Sequence, residues 1–485
     1  MSSKKLWPVL LLVLLLTSCG ESQRNAAETS PPTTEAHAAS ETTGQPRSTT
    51  VSRPATAGET AGETTAPTTG EQREDTARSE GRTEPRYGYT YGQASGNRVV
   101  EGTGGLPGSE PVDVRLDGVP TWVVGVPLGD DTAWVVTLGD GRVQAFRLDE
   151  SGEHSPVSIT PDELPPGQPP LVKSEGGGLE LVTAQTMEAS DLTHPVPVSL
   201  DSNEALISTT RTGQILMESS GRDAAVSEYA GIKALPDARF VRGAGGTLAF
   251  LSDPTERYAH GVLGDAVEAD SITLLRPGGE ALEAGALPPV SGGVFEQISP
   301  LWFEAPGVEG ELLAVTESTP ELATRVSVYS LDGSLVAAGP FIGEPLKWRH
   351  LLAAGPFGPN GEVELVDTLT PHIGGTVEFY RPDFDSGSLD VVSTQRGYTS
   401  HRIYTRNLDT VRAGDLDGDS RWELLVPNDA YTELGAIRHE ANGASVAWTL
   451  PADGTIVTNL ASATNSGGRA QVAAGREDGS LRIWP

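Results

Sequence analysis

The chain has 485 residues, with 34 lysine and arginine against 66 aspartate and glutamate residues, and a formal net charge of −32. Such an acidic surface repels phosphate backbones, which argues against nucleic acid as a partner. The 57 glycines and 36 prolines, with three methionines, favour turn-rich β-structure over helical bundles. Residues 87–485 carry 55 acidic and 25 basic side chains, so the excess belongs to the part that we expect to fold.

Residues 1–18 have the pattern of a secretory signal peptide. Lys4 and Lys5 precede an apolar run, residues 6–16, that is too short to span a membrane. The ending Leu16-Thr17-Ser18-Cys19 resembles the bacterial lipobox, whose cysteine becomes the lipidated first residue of the mature protein. Cys19 is also the single cysteine of the chain. We therefore expect Cys19 to carry acyl chains, palmitate among them, that anchor the protein to a membrane.

Residues 19–86 begin with the lipidated cysteine and continue as a predicted linker. Thr, Ser, Glu, Pro, Ala and Gly dominate it, and it has almost no large apolar residue. Because such a segment cannot bury enough surface to offset its ordering entropy, it is predicted to be disordered, with a reach of about 45 Å. Gly20 stands where an inner-membrane retention signal would have Asp. The expected location is the bacterial cell envelope outside the cytoplasm, at the outer membrane or cell surface.

From residue 87 onward the chain consists of short segments with period-two alternation, separated by turn dipeptides such as Asp117-Gly118. A period near 50 recurs, which fits the four-stranded blades of a propeller. The interval between the first two repeated segments, which contain Val143 and Thr273, is longer and leaves room for two or three weakly marked units. We predict an all-β β-propeller over residues 87–485 with seven blades, six to eight being compatible. The repeated apolar segments contain Val143, Thr273, Val326, Val377, Ala436 and Leu481.

One loop, residues 415–423, places acidic side chains at metal-ligand spacing. Asp415, Asp417 and Asp419 alternate with small or turn-forming residues, so a tight loop can direct three carboxylates at one point. The Arg421 carbonyl and Glu423 would complete the shell. Calcium prefers about six to eight oxygen ligands from a flexible loop. The sequence therefore predicts a Ca²⁺ site with a structural role, and a solvated acidic turn is the alternative.

Residues 413–426 resemble the Asp-rich loop of FG-GAP/VCBS repeats, found in integrin α-subunit propellers and many bacterial surface proteins. Carried over by position, the resemblance implies side-chain ligands to Ca²⁺ at Asp415, Asp417, Asp419 and Glu423 and a carbonyl ligand at Arg421. Weaker copies recur in the same frame at 309–313, 354–366 and 467–472. Residues 442–448 and 475–484 resemble quinoprotein-like and WD-type blades instead, which leaves the subfamily open.

The motifs of common enzyme classes are absent from the chain. It lacks Gly-x-Ser-x-Gly, a Walker pattern, a full Gly-x-Gly-x-x-Gly and zinc-type histidine spacing, so no catalytic or cofactor-binding residue is assigned. The eight histidines are interpreted as surface or core residues. The leading hypothesis is a non-enzymatic, lipid-anchored envelope protein whose Ca²⁺-stabilised propeller binds or assembles a protein or glycan partner. The alternatives are a propeller enzyme (quinoprotein-like dehydrogenase, lyase or hydrolase) and a scaffold subunit of an envelope assembly complex.

Overall fold

The structure is a computed structural model that describes residues 85–200, 203–219, 226–278 and 281–485. The predicted signal peptide (1–18), Cys19 and almost all of the predicted linker (19–86) lie outside the described residues. Within them, the one helical element is a 3₁₀ turn at Gly261–Leu263, and no helix has the length and hydropathy needed to cross a membrane. The other elements are strands, as the composition predicts.

The strands are short because turn residues end them, and many are almost wholly buried because they are rich in β-branched and aromatic residues. The first thirteen are β1 (Arg86–Tyr89), β2 (Val112–Arg115), β3 (Pro120–Leu128), β4 (Asp131–Leu138), β5 (Val143–Leu148), β6 (His154–Val157), β7 (Ile159–Thr160), β8 (Leu171–Glu175), β9 (Gly178–Leu181), β10 (Val196–Leu200), β11 (Asn203–Thr209), β12 (Gln214–Ser219) and β13 (Val226–Lys233).

The remaining strands follow the same design. They are β14 (Val241–Arg242), β15 (Leu248–Thr255), β16 (Glu268–Gly278), β17 (Ala281–Leu287), β18 (Val294–Phe295), β19 (Leu301–Phe303), β20 (Leu312–Thr319), β21 (Ala323–Ser330), β22 (Leu335–Ala338), β23 (Arg349–Gly355), β24 (Glu364–Leu369), β25 (Thr376–Asp383), β26 (Ser388–Arg396), β27 (Arg412–Gly414), β28 (Glu423–Pro427), β29 (Glu433–Glu440), β30 (Gly443–Pro451), β31 (Ile456–Thr464), β32 (Ala470–Arg476) and β33 (Ser480–Trp484).

Strand pairing groups these strands into eight four-stranded units, the blades of a β-propeller. Blade 1 is β3–β6, blade 3 is β10–β13, blade 4 is β14–β17, blade 5 is β19–β22, blade 6 is β23–β26 and blade 7 is β27–β30. Blade 8 is β31–β33 with β2 as its outer strand. Blade 2 is irregular, since β8 and β9 are flanked by β1 and by β7, which runs parallel to β9. The short strand β18 links blades 4 and 5.

The prediction of an all-β propeller is confirmed, and the described strands form eight units rather than the preferred seven. All six repeated apolar segments found in the sequence are the third strands of their blades, namely β5, β16, β21, β25, β29 and β33. The longer interval between the first two of these strands holds blades 2 and 3. The sequence repeat did not reveal blade 2, because two of its strands, β1 and β7, come from earlier parts of the chain. The local sequence around β8 and β9 therefore lacks the full four-strand pattern.

Hydrophobic cores lie between neighbouring blades, and pairing between distant parts of the chain closes the ring. Val112 of β2 lies opposite Ile483 of β33, and Arg115 lies opposite Ser480. Trp134 is fully buried in a cluster shared by blades 1 and 8. Since each blade has two apolar faces, this stacking buries surface that no blade could bury alone.

The centre of the ring is occupied by residues 86–106, which we call the plug segment. Its first part, β1, pairs with β8, and its last part runs parallel to β27 beside Ala413. The space inside the innermost strands is thus filled by the chain itself. Besides the pairing of β1 with blade 2, hydrogen bonds join the plug to blades 4 to 8: Arg242 N to Ala94 O (2.7 Å), Trp302 N to Ser95 O (2.9 Å), Asn97 Nδ2 to Ala354 O (2.8 Å), Val100 N to Ala413 O (2.8 Å) and Ala470 N to Thr103 O (2.8 Å).

Alternation of strand direction gives the ring two loop faces. The Asp415 face carries the loops between the first and second strands of the blades, including residues 415–422. The His401 face carries the loops between second and third strands and the connections between blades, including residues 397–411. Arg86 lies at the Asp415 face, because it pairs with Ser174, whose hydroxyl donates to Pro127 O at the end of β3 (2.7 Å).

Candidate functional site

The Asp415 loop lies between β27 and β28 and brings the predicted carboxylates together. Within the described residues, Asp415, Asp417 and Asp419 are the one group of three or more acidic, histidine or cysteine side chains whose ligand atoms all lie within 4.8 Å of one another. Backbone N–H groups shape the loop, with Gly418 N donating to Asp415 Oδ1 and Arg421 N donating to Asp419 Oδ1, both at 2.9 Å.

A guanidinium from β29 faces the same loop. Arg438 donates to Asp417 Oδ2 at 2.8 Å and to Glu423 Oε1 at 2.9 Å, and it lies 3.0 Å from Asp419 Oδ2. Glu423 Oε2 also accepts from Leu416 N at 3.0 Å. Burial raises the pKa of Glu423 to about 7, although Arg438 opposes that rise. Glu423, a predicted ligand, is therefore directed at Arg438 and at the loop backbone.

The oxygen set fits a hard cation, and Arg438 already supplies one positive charge beside it. Four acidic groups face the Arg438 guanidinium, while Arg421 pairs mainly with Glu440, with contacts of 2.9 and 2.5 Å, and its Nε lies 3.8 Å from Asp419 Oδ2. The remaining negative charge suits Ca²⁺ bound through Asp415, Asp417 and Asp419. A strong site would need Arg438 to shift, because Ca²⁺ and the guanidinium share Asp417 and Asp419.

The weaker copies of this loop occupy the equivalent position in their own blades. Residues 309–311, 356–363 and 465–469 all lie between first and second strands, on the Asp415 face. In blade 6 the loop is closed by Asn360, whose N and Nδ2 donate to Glu362 at 2.8 and 3.0 Å. The loop shape thus recurs while the acidic ligands do not.

The His401 face holds an aromatic cluster that the sequence did not reveal. Trp348 stacks on His350 with ring centroids 5.3 Å apart and lies edge-on to His401 at 5.1 Å. His372 completes the cluster, 6.0 Å from His401 and 6.4 Å from Trp348. Trp348 and His350 lie at the start of β23, His372 lies in the loop between β24 and β25, and His401 lies in the connection from blade 6 to blade 7. The three histidines are too far apart along the chain to match a metal motif, so only the fold brings them together.

The histidines of this cluster are uncharged and have unused ring nitrogens. His401 Nε2 donates to Thr405 O at 2.8 Å, so its Nδ1 carries a lone pair. His401 Nδ1, His350 Nε2 and His372 Nδ1 have no hydrogen-bond partner among the described residues. Burial lowers the pKa of His401 to about 4 and holds the pKa of His350 well below its ordinary value. The cluster is therefore neutral, and Trp348, His350 and His401 are buried.

Exposed apolar side chains lie in the same loops as this cluster. Leu346 (57% exposed), Ile373 (63%), Ile403 (43%) and Tyr404 (71%) each lie close in sequence to Trp348, His372 or His401. Leu346 and Tyr404 also have left-handed backbones, with φ of 56° and 66°. Bulky residues seldom adopt that conformation, and such strain is frequent at functional sites. We call these four residues the apolar rim.

The comparisons with known proteins concern the fold. No protein-family model matches the sequence, and no curated protein is similar to it. The structure is similar to a europium-containing methanol dehydrogenase at 8% identity and a TM-score of 0.47, covering 80% of this chain and 90% of that chain. It is similar to the WD40 β-propeller domain of Doa1 (12%, 0.34, covering 79% and 96%) and to BBS1N in complex with ARL6DN (12%, 0.41, covering 78% and 97%). The strand pairing of the chain itself defines it as an all-β propeller protein.

Proposed function

We propose that this protein is a non-enzymatic, lipid-anchored protein of the bacterial cell envelope whose propeller binds or assembles a protein partner through the His401 face. The observation that carries the proposal is the apolar rim around the Trp348 cluster. Four large side chains that could lie in a core are instead presented to solvent by loops of one face, over a buried aromatic cluster. Exposed apolar side chains gathered on one face are typical of protein–protein contacts.

The geometry of the rim supports a binding role over a packing defect. The loops that carry it are held by backbone hydrogen bonds, since Thr370 N donates to Trp348 O and Tyr404 N donates to Val262 O of the 3₁₀ turn, both at 2.8 Å. A fixed surface loses little conformational entropy on binding. His401 and Trp348, which are buried in the same loops, hold this surface in place from the inside.

The proposed calcium has a structural role on the opposite face. Asp415, Asp417 and Asp419 would hold it in an FG-GAP/VCBS-type loop that ties β27 to β28. The lipidation of Cys19 rests on the lipobox and on its being the single cysteine. Arg86, at the end of the predicted linker, lies on the Asp415 face, opposite the apolar rim.

Site-specific photocrosslinking in the native envelope tests the proposal. A benzophenone amino acid at Tyr404 or Ile373 is expected to give a discrete adduct with one partner. The matched control is Val392, which is 37% exposed on the outer strand β26, away from the rim. Equal adducts at Val392, or none at the rim, would contradict a docking face. Reconstitution with a quinone followed by dye reduction tests the enzymatic alternative, and activity there would overturn the non-enzymatic assignment.

A further inference from the structure

Two glutamates lie opposite each other in the interior of the His401 face. The β16–β18 ladder pairs Ala269 with Phe295, which puts Glu268 and Glu296 in adjacent, opposed positions with their side chains on the same side. Cβ atoms of such residues lie about 4.5–5.5 Å apart. Glu268 is 2% exposed and Glu296 is 0% exposed. Like charges in this arrangement repel each other strongly, so the pair needs either a compensating positive charge or a shared proton.

The neighbouring basic groups leave that need unmet. His260 Nδ1 lies 2.5 Å from Glu296 Oε1, which occupies one oxygen of one glutamate. Arg406 is committed to two other acids, since it donates to Asp237 at 2.9 Å and to Asp265 at 2.5 Å. Glu268 Oε2 is buried without a hydrogen-bond partner among the described residues.

A second unpartnered group points to a ligand at the same place. The Tyr258 hydroxyl is buried beside Ser318 and makes no hydrogen bond of good geometry within the described residues, and the Tyr258 residue is 3% exposed. Its ring lies edge-on to His260, with centroids 5.9 Å apart, and His260 contacts Glu296. Burial, followed by the charges of Glu296 and Glu268, raises the pKa of this hydroxyl. Glu268 Oε2 and the Tyr258 hydroxyl are therefore two buried oxygens without a well-formed hydrogen bond, and both lie at the Glu268–Glu296 pair.

We propose that Glu268 and Glu296 bind a hard divalent cation, Ca²⁺, with the hydroxyls of Tyr258 and Ser318 completing a set of oxygen ligands. Ser318 Oγ already contacts Glu296. Carboxylate and hydroxyl oxygens are the ligand type that Ca²⁺ prefers. The cation ties blade 4 to blade 5, because Glu268 begins β16 and Glu296 follows β18. It also lies beneath the aromatic cluster, since Trp348 Nε1 donates to Glu296 O at 3.0 Å.

Calcium uptake by the full-length chain tests this site in a background that silences the Asp415 loop. Equilibrium dialysis of the Asp417→Asn variant with radioactive Ca²⁺ is expected to give one ion per chain, and none in Asp417→Asn/Glu268→Gln. Saturating Ca²⁺ should raise the Tm of Asp417→Asn by about 3 °C and should not raise that of the double variant. Glu283→Gln, an exposed change on β17, is the matched control and should keep the uptake.

Two outcomes would overturn the proposal. One is no uptake by Asp417→Asn, which is the result expected if the two glutamates merely share a proton. The other is uptake that persists in the double variant. Glu268→Gln keeps the shape of the side chain and removes a repulsion, so its fold, checked by circular dichroism, should be retained. The difference between wild type and Asp417→Asn reports on the Asp415 loop separately, and crosslinking at Tyr404 reports on the docking face.

Discussion

Arg239 and Asp409 form a bidentate ion pair at the centre of the ring, with Nη1–Oδ1 and Nη2–Oδ2 distances of 2.8 and 2.5 Å. Arg98 of the plug segment lies 3.3 Å from Asp409 Oδ1, and the Thr90 hydroxyl donates to Oδ2 at 3.2 Å. Burial alone would raise the pKa of Asp409, but the charges of Arg239 and Arg98 outweigh it and hold the pKa below its ordinary value. One carboxylate thus joins the plug to blades 4 and 7.

Removing this carboxylate should destabilise the protein strongly. Asp409→Ala leaves Arg98 and Arg239 buried without their counter-ion, which costs about 3–5 kcal/mol. Denaturant unfolding measures the loss, and Asp385→Ala in the exposed β25–β26 turn is the control, with an expected change of about 0.5 kcal/mol or less. A loss no larger than that of the control would show that the central ion pair does not hold the ring together.

The plug segment should tolerate no side chain at Gly104. A Cβ there would lie 1.9 Å from Leu416 O, a backbone atom that cannot move aside without shifting the Asp415 loop. Gly104→Ala is therefore expected to lower stability by about 2 kcal/mol or more. Gly245→Ala is the matched control, since its Cβ would meet no atom within 4 Å, and thermal unfolding compares the two. Equal Tm values would mean that residues 98–106 do not pack as described.

Arg438 should compete with Ca²⁺ at the Asp415 loop. Arg438→Gln frees Asp417 and Asp419, so the calcium affinity of this loop is expected to rise about tenfold, a change of about 1.4 kcal/mol. The same substitution should lower stability in calcium-free buffer, because buried Glu423 loses its counter-ion. Calorimetric titration in the Glu268→Gln background isolates this loop, and Asp417→Asn should abolish its signal. An affinity that does not change would argue against Ca²⁺ binding where the guanidinium lies.

Acid should destabilise the His401 face through its neutral histidines. Burial lowers the folded-state pKa of His401 to about 4, whereas an unfolded histidine titrates near 6.5. Between those values the unfolded chain binds the proton first, so stability falls as pH falls, by about 1.4 kcal/mol per pH unit for this residue. His401→Gln should reduce the slope of unfolding free energy against pH between 6.5 and 5. His154→Gln, on an exposed strand, should leave it unchanged. Equal slopes would contradict the assignment.

The Asp415 loop shows how far local sequence could predict a site. Its three aspartates occupy alternate positions in a turn, so their convergence follows from nearby backbone geometry. The contact of Arg438 with this loop could not be predicted from the local sequence, because it depends on how β29 pairs with β28. The Trp348 cluster was missed for a related reason, since its histidines come from separate loops that only the closed blades bring together.

The sequence alone determined that this chain is a repeating β-structure, because alternation, turn dipeptides and third-strand spacing are local properties. It also placed the acidic loop and its weaker copies at the same position of the repeat. Tertiary structure decided the number of blades, the filling of the centre by residues 86–106, the pairing of Glu268 with Glu296 and the exposure of the apolar rim. These features depend on contacts between residues far apart in the chain, such as Arg98 with Asp409, and no local pattern encodes which distant strands become neighbours.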